Sequence, residues 1–268
     1  MLQTKKARNR NFAIDIIGDI AVLPRNNDNK NDMTPLIQKI ISRYKTRIKS
    51  IAIKIEKPSQ KYRVAKLQTI WGENRTNTIA KENGCFFELD LQKVFFCPRL
   101  AYERLRIAKQ IKENENVLVM FAGVGPYAII ASKKSKAKNI IAIEINQDAF
   151  MFMKKNIQKN KCENIEPILA DVRDTLLESR FEKWADRIIM PHPFSDTDFL
   201  TLALNSIKPA GIIHYYSFEN RKEGAQKIFE DTKRQAKDLA QLELKSFRKV
   251  RPICPNVYHY VLDIQVKK

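Results

Sequence analysis

Gly123-Val124-Gly125 follows a short apolar run, Val117 to Phe121, and precedes Pro126. A run of that length suits a buried parallel strand. Glycines directly after it let the backbone come close to a ligand and open a helix, whose first turn accepts Pro126. About twenty residues on, a second apolar run, Ile140 to Ile143, ends in Glu144, where a strand-tip carboxylate can accept hydrogen bonds from a ribose diol. Asp171 follows a third run in the same way. The chemistry these spacings predict is nucleoside binding. The dinucleotide pattern G-x-G-x-x-G wants a third glycine, and here that place holds Ala128. A Gly pair after a strand can also be a plain tight turn. The matching acids at Glu144 and Asp171 favour the nucleoside.

The elements that must position these residues alternate from Val117 onward. Strands are expected over 117–121, 139–144, 165–169, 187–190 and 211–218, and helices over 126–134, 147–159, 197–207 and 223–240. Two long strands, 242–250 and 256–266, joined through Arg251-Pro252, would form an antiparallel hairpin at the sheet edge. Earlier in the chain, Phe12 to Leu23 reads as a pair of strands around Gly18-Asp19, Asn26 to Asp32 as a polar loop and Met33 to Tyr44 as a helix. Further strands are expected at 50–55, at 64–70, from Thr78 to Glu82 continuing toward Phe87, and at 91–96, before a helix over 99–111. The class expected is α/β: residues 1–98 form a small α+β domain and residues 99–268 a Rossmann-like domain, with a polar linker near 112–116.

The chain has 268 residues, long enough for a sizeable core. Its 49 Lys and Arg against 30 Asp and Glu leave a net charge of +19, which favours a polyanionic partner, for a soluble enzyme usually nucleic acid. The charge is also widely spread, and a Lys-rich composition of no special purpose would look similar. No apolar run has the length of a membrane span, and the basic lead from Lys5 to Arg10 contains no signal core. The cysteines 85, 97, 162 and 254 lie far apart with no His at ligand spacing, which argues against zinc and against a disulfide framework. A reduced, cytoplasmic, monomeric protein is expected.

Several longer stretches carry a resemblance. They are Ile17-Gly18-Asp19-Ile20, Gly72-Glu73-Asn74-Arg75-Thr76, Glu82-Asn83-Gly84-Cys85-Phe86, Phe95-Phe96-Cys97-Pro98-Arg99-Leu100-Ala101-Tyr102-Glu103-Arg104, and Met120-Phe121-Ala122-Gly123-Val124-Gly125-Pro126. In this order they resemble the archaeal and eukaryotic tRNA (guanine-37-N1)-methyltransferases and their wyosine-pathway relatives, from about Phe12 to the C-terminus. The resemblance implies the class I methyltransferase Rossmann-like fold, S-adenosylmethionine as cofactor, and tRNA bound at the anticodon loop, with tRNA(Phe) the expected substrate. It implies that Glu103 is the general base and that Arg63 steadies charge on the guanine oxygen. Arg104, Phe121, Ala122, Gly123, Gly125, Glu144, Ile145, Asp171, Val172 and Pro191 would border the cofactor. Phe95, Phe96, Pro191, His192, Pro193 and Tyr215 would border the target base, with Phe95, Phe194 or Tyr215 stacking on it. From spacing alone, Glu103 could equally be an exposed helix residue paired with Arg106 or Lys109.

Two departures stand out. Many members carry Asn-x-Pro after the fourth strand, whereas this chain has Pro191-His192-Pro193. That version, with His214-Tyr215-Tyr216, is similar to the archaeal wyosine branch, which methylates C7 of the tricyclic base imG-14 and in some members also guanine N1. The family also often has an additional N-terminal domain, and this chain begins almost directly with the middle one. Other readings remain: an aminocarboxypropyl transferase of the same pathway, a non-catalytic RNA-binding relative, and a dehydrogenase, which the absent third glycine disfavours.

Overall fold

The structure is a computed structural model that describes residues 14–25, 33–56, 58–59, 62–192, 197–237 and 239–267. The basic lead and the polar loop Asn26 to Asp32 lie outside the described residues. The chain opens with a four-stranded sheet in the order β1 (Asp15–Ile17), β2 (Ile20–Leu23), β3 (Ser50–Lys54), β4 (Leu67–Gly72), with α1 (Thr34–Tyr44) crossing between β2 and β3. Ile40 of α1 packs on Ala21, Leu23 and Ile51 to form a small separate core.

β5 (Asn77–Glu82) and β6 (Cys85–Asp90) form a hairpin. The strand expected from Thr78 toward Phe87 is thus two strands, divided at Asn83-Gly84, the pair that punctuates this stretch in the sequence. Asn83 and Gly84 both take positive φ, 52° and 82°, the geometry of a two-residue hairpin turn. The hairpin precedes the expected boundary at residue 98, yet its hydrogen bonds reach past it: Asn156 and Asn160 pair with the backbones of Glu88 and Phe86. The expected strand at 91–96 is a turn and coil instead. The Asp90 carboxylate accepts from the Gln92 amide, and the amides of Lys93 and Val94 fold back onto the Asp90 carbonyl. Val94 and Phe96 are buried without belonging to a ladder.

After α2 (Ala101–Gln110) the chain alternates as expected: β7 (Asn116–Val119), α3 (Pro126–Lys134), β8 (Asn139–Glu144), α4 (Gln147–Lys159), β9 (Ile165–Leu169), the short α5 (Val172–Thr175), β10 (Ala185–Met190), α6 (Thr197–Ser206), β11 (Ile207–Asn220) and α7 (Gly224–Gln235). β12 (Gln241–Cys254) and β13 (Val257–Lys267) close a seven-stranded sheet in the order β12-β13-β11-β10-β7-β8-β9. The hairpin turns at 255–256, not at Arg251-Pro252. Pro252 sits within the edge strand β12, where register shifts on either side absorb its missing donor. Alternate residues of the sheet face opposite cores. Val117, Val119, Ala142 and Tyr216 meet α2, α3 and α4, whereas Leu118, Ile141, Ile188 and Tyr215 meet α5, α6 and α7. The carboxyl tips of β7, β8, β9 and β10 come together at one end, and the site lies there.

Candidate active site

β7 is followed by a loop that stays bonded to the sheet. The Met120 amide reaches the Ile189 carbonyl and the Ala122 amide reaches the Ile143 carbonyl. Gly125 then caps α3 at φ 86°, and a Cβ there would sit 2.9 Å from Met153 Cγ. Gly125 therefore serves the packing of α3 on α4. Gly123 differs: at φ 58° a Cβ would meet nothing within 4 Å, so this position opens onto free space.

Glu144 ends β8. Its carboxylate accepts from the Gly123 amide at 2.7 Å and from the Asn146 amide at 2.7 Å. Burial holds its pKa above the ordinary carboxylate value despite these amides. Asp171, beyond β9, caps α5 by accepting from the Arg173 amide at 2.8 Å and pairs with the Arg173 guanidinium at 2.7 Å. Beyond β10, the His192 ring lies 4.9 Å from that of Phe121, which meets Phe199 edge-on at 4.8 Å.

Residues from before the alternation close the other side. Arg63, at φ 57°, holds its guanidinium 4.8 Å over Phe95 and 5.6 Å over Phe218. Burial pulls its pKa below the usual guanidinium value, with Arg251 adding to the effect. Arg104 is buried, bonded to Glu82 and to the Cys97 carbonyl, and faces the rings of Phe96 and Tyr127. The crevice between the two sides measures about 530 Å³, a volume typical of small-ligand sites.

Of the expected residues, Arg63, Phe95, Phe96, Arg104, Phe121, Ala122, Gly123, Glu144, Ile145, Asp171, Val172, Pro191 and His192 line this crevice. Pro193 and Phe194 lie outside the described residues. Gly125 stands behind the wall. Tyr215 lies on the opposite face of β11, in a separate depression with Phe218, Ile228 and Asp231. Strand alternation sends its neighbour Tyr216 toward α2 instead.

Glu103 is 2% exposed and does not line the crevice. Arg106 does pair with it, at 2.8 Å, but the carboxylate is buried and Arg106 half-buried, so the pair is not on an exposed helix face. The Tyr216 hydroxyl donates to Glu103 at 2.9 Å and accepts from the Tyr127 hydroxyl at 3.1 Å. Tyr127 itself lines the crevice. A hydrogen-bonded file thus leads from the crevice to the carboxylate. Sequence reasoning missed the lining residues Tyr62, Leu100, Tyr127, Asn146, Arg173 and Phe199. Asn146 carried a readable signal, an Asn at the helix start, and it does accept from the Asp148 amide at 3.0 Å.

The site fits an adenosyl group by its own features: an unfilled Cβ direction at Gly123, a buried ionisable acid beside it and a second acid on the next strand. Comparisons with known proteins agree. The TRM5/TYW2 methyltransferase domain matches residues 78–245. A tRNA (guanine(37)-N(1))-methyltransferase, Trm5b of Pyrococcus abyssi, is 36% identical over 255 residues, 95% of this chain and 74% of that protein. Its crystal structure superposes with a TM-score of 0.83, covering 96% of this chain and 75% of the other at 36% identity. The tRNA 4-demethylwyosine(37)-methyltransferase Taw21 of Saccharolobus solfataricus is 32% identical, covering 94% of this chain and 93% of its own. The tRNA (guanine(37)-N(1))/4-demethylwyosine(37)-methyltransferase Taw22 of Nanoarchaeum equitans is 31% identical, over 87% and 94%. Among solved complexes, Methanocaldococcus jannaschii TYW2 with AdoMet matches at a TM-score of 0.72 and 29% identity, covering 95% of this chain and 99% of the other. The complex of aTrm5 with tRNALeu matches at 0.81 and 34%, covering 95% and 72%.

Proposed function

The chain belongs to the TRM5/TYW2 methyltransferase family, and we propose that it methylates the purine at position 37 of tRNA(Phe), at N1 of guanosine and at C7 of imG-14, the 4-demethylwyosine base, with S-adenosylmethionine as donor. The observation that carries this reading is the crevice itself: Gly123, Glu144 and Asp171 at three successive strand tips, faced by Arg63 and Phe95. When bound, S-adenosylmethionine supplies a methyl group activated on a sulfonium.

The residues of this chain divide the remaining work. With the cofactor bound, Glu144 would accept from the ribose diol and Asp171 from the adenine amino group, and Arg104, Phe121, Ala122, Ile145 and Val172, which line the crevice, would wall the adenosyl group. Phe95 and Phe96 present aromatic surface to a purine turned out of the anticodon loop, and His192 and Pro191 stand opposite. Arg63 offsets negative charge as it grows on the guanine oxygen. N1 of neutral guanine carries a proton that must leave. Tyr127 accepts it while donating its own proton to Tyr216, and Tyr216 donates to Glu103, which ends protonated; the transfers from Tyr127 to Tyr216 and from Tyr216 to Glu103 follow hydrogen bonds already present. Holding the base beside this file supplies the proximity the reaction needs. The first 98 residues, with the small sheet and Arg63, serve to grip RNA.

Pro191 supports the second base. A proline there has no side-chain amide to bond guanine, and its short ring leaves width for a tricyclic base. The test is incubation with tRNA(Phe) carrying either guanosine or imG-14, followed by nucleoside mass spectrometry. One added methyl on each base is expected. An addition heavier than methyl, or none, overturns the reading. The Pro191→Asn variant should raise the ratio of guanosine to imG-14 methylation, and an unchanged ratio removes Pro191 from the account.

A further inference from the structure

The sheet does not end at the crevice. β10 stops at Met190, paired with Tyr215, whereas β11 continues to Asn220 and carries β13 and β12 with it. At the rise of a strand, this three-stranded flap stands roughly 16 Å beyond the tip of β10. Across it runs one register row: Phe218 opposite His259, and His259 opposite Arg251. Cross-strand partners share a sheet face. The Phe218 ring meets His259 edge-on at 5.1 Å and lies under the Arg63 guanidinium at the crevice rim.

This row holds polar groups that no described residue satisfies. His259 is 3% exposed, and among the described residues neither ring nitrogen has a hydrogen-bond partner. Arg251 is half-buried, and its Nε is buried without a partner among the described residues. Orphaned buried donors of this kind cost stability. The charges that bear on the imidazole are both positive, those of Arg251 and Arg63. Burial and these cations hold the His259 pKa at about 3, so the ring is neutral near pH 7, with one donor and one acceptor to offer. A guanidinium and a neutral N–H without partners suit an anion. On an RNA strand whose base has entered the crevice, the anion that passes this flap is the backbone.

We propose that Arg251 and His259 form a notch for one backbone phosphate of the RNA, at a linkage next to the purine in the crevice. Arg251 meets the phosphate at the surface, and His259, buried directly beside it, donates as its ring is uncovered when the phosphate seats. The notch deepens the tRNA reading above and depends on it only for which RNA is bound.

The test uses the full chain and full-length tRNA assembled by ligation, with a neutral methylphosphonate at one linkage at a time on either side of position 37. Arg251→Met keeps the side-chain stem and removes the charge, and Arg251→Lys restores charge without the fork. On unmodified tRNA, Arg251→Met should weaken binding roughly tenfold or more, the scale of a lost charge-assisted bond, and reduce the dependence of log K on log salt by about one phosphate contact. Arg251→Lys should recover part of this. At one linkage the methylphosphonate should weaken wild-type binding but add nothing to Arg251→Met. His259→Gln should show the same non-additivity at the same linkage. Strict additivity at every linkage, or unchanged binding in Arg251→Met, overturns the notch. Calorimetry with S-adenosylmethionine keeps the two claims apart. If the wild type binds cofactor and methylates tRNA while additivity holds, the notch alone fails. If non-additivity appears but no methyl is transferred, the notch stands and the catalytic reading fails.

Discussion

Glu144 is buried, accepts two amides and has its pKa held above the ordinary 4.5 by burial. That combination sets the pH range over which the crevice can hold a ribose. Ionised, the carboxylate can accept from a diol; protonated, it competes as a donor. Cofactor affinity should therefore be full well above the raised value and fall as pH drops through it, at a higher pH than an unperturbed carboxylate would give. Calorimetry across the acid range would show this, and Glu144→Gln should lose affinity at neutral pH, about tenfold or more, and lose the pH dependence with it. For the fold the sign is opposite. A carboxyl whose folded pKa is raised contributes stability below its unfolded value, and this is lost as pH rises through the folded one. At neutral pH the site acid is thus a small burden on the apo protein. The tyrosine file gives a second prediction at this scale. Tyr216→Phe removes one hydroxyl from the path to Glu103 and should lower the single-turnover methylation rate roughly a hundredfold, with cofactor Kd unchanged. Tyr215→Phe, on the far face of β11, should leave the rate within about twofold. Equal losses in both variants would mean that the hydroxyl file carries no proton.

At the scale of elements, α4 is clamped to the β5–β6 hairpin by side-chain amides. Asn156 is fully buried; its Oδ1 accepts from the Glu88 amide at 2.7 Å and its Nδ2 donates to the carbonyls of Glu88 and Val124, both at 3.1 Å. One side chain thereby joins the hairpin, the helix and the glycine loop. Asn156→Ala would leave these backbone groups buried and unpaired, and should cost about 2–4 kcal/mol in urea unfolding. A shift under about 0.5 kcal/mol would show that water replaces the amide. The alternation of elements after Val117 was legible in the sequence because parallel strands are continuous apolar runs and Pro126 marks the start of the helix that follows the glycines. Local pattern failed where an apolar run had another use. Val94 and Phe96 fill a core seam while the backbone turns on Asp90, which no strand template reveals. The setting of Glu103 was hidden for a different reason. Its partner Tyr216 is 113 residues away, and Arg106, its neighbour on the helix, is fixed by Asp263 at a separation of 157. The glycine loop and the strand-tip acids could be read because they are neighbours in sequence. The tyrosine file and the row of Phe218, His259 and Arg251 could not, because the sheet assembles them.

Across the whole molecule, charged side chains and one neutral imidazole form a file through the sheet. Glu115 grips Arg187 with two bonds, Arg187 meets His214 Nε2 at 2.8 Å, His214 Nδ1 meets Asp263 at 2.6 Å, and Asp263 holds Arg106, which holds Glu103. Because a guanidinium only donates, Nε2 must accept and Nδ1 must carry the proton, so His214 is neutral and fixed in one tautomer. Burial lowers its pKa below 6.5, and burial with two nearby cations lowers that of His259 to about 3. Burial alone would raise Asp263, but its bonds from His214 and Arg106 carry it well below 3.8. All three groups have depressed folded values, so each contributes stability that is present above its unfolded pKa and lost as pH falls toward its folded one. For the histidines that loss begins near 6.5, their ordinary value; for Asp263 it begins near 3.8. The melting temperature should therefore fall in two stages on acidification, first through the histidines and then through the aspartate. His259→Phe keeps a ring between Tyr216 and Phe218 and removes one buried titration. Its melting curve should start to fall at the same pH as the wild type but with a shallower slope down to about 3, while cofactor affinity at neutral pH is retained. A wild-type curve that stays flat from 6.5 to the onset of carboxylate titration would show that the imidazoles are protonated in the folded protein, and that the file through the sheet is not closed by a His214 carrying its proton on Nδ1 alone.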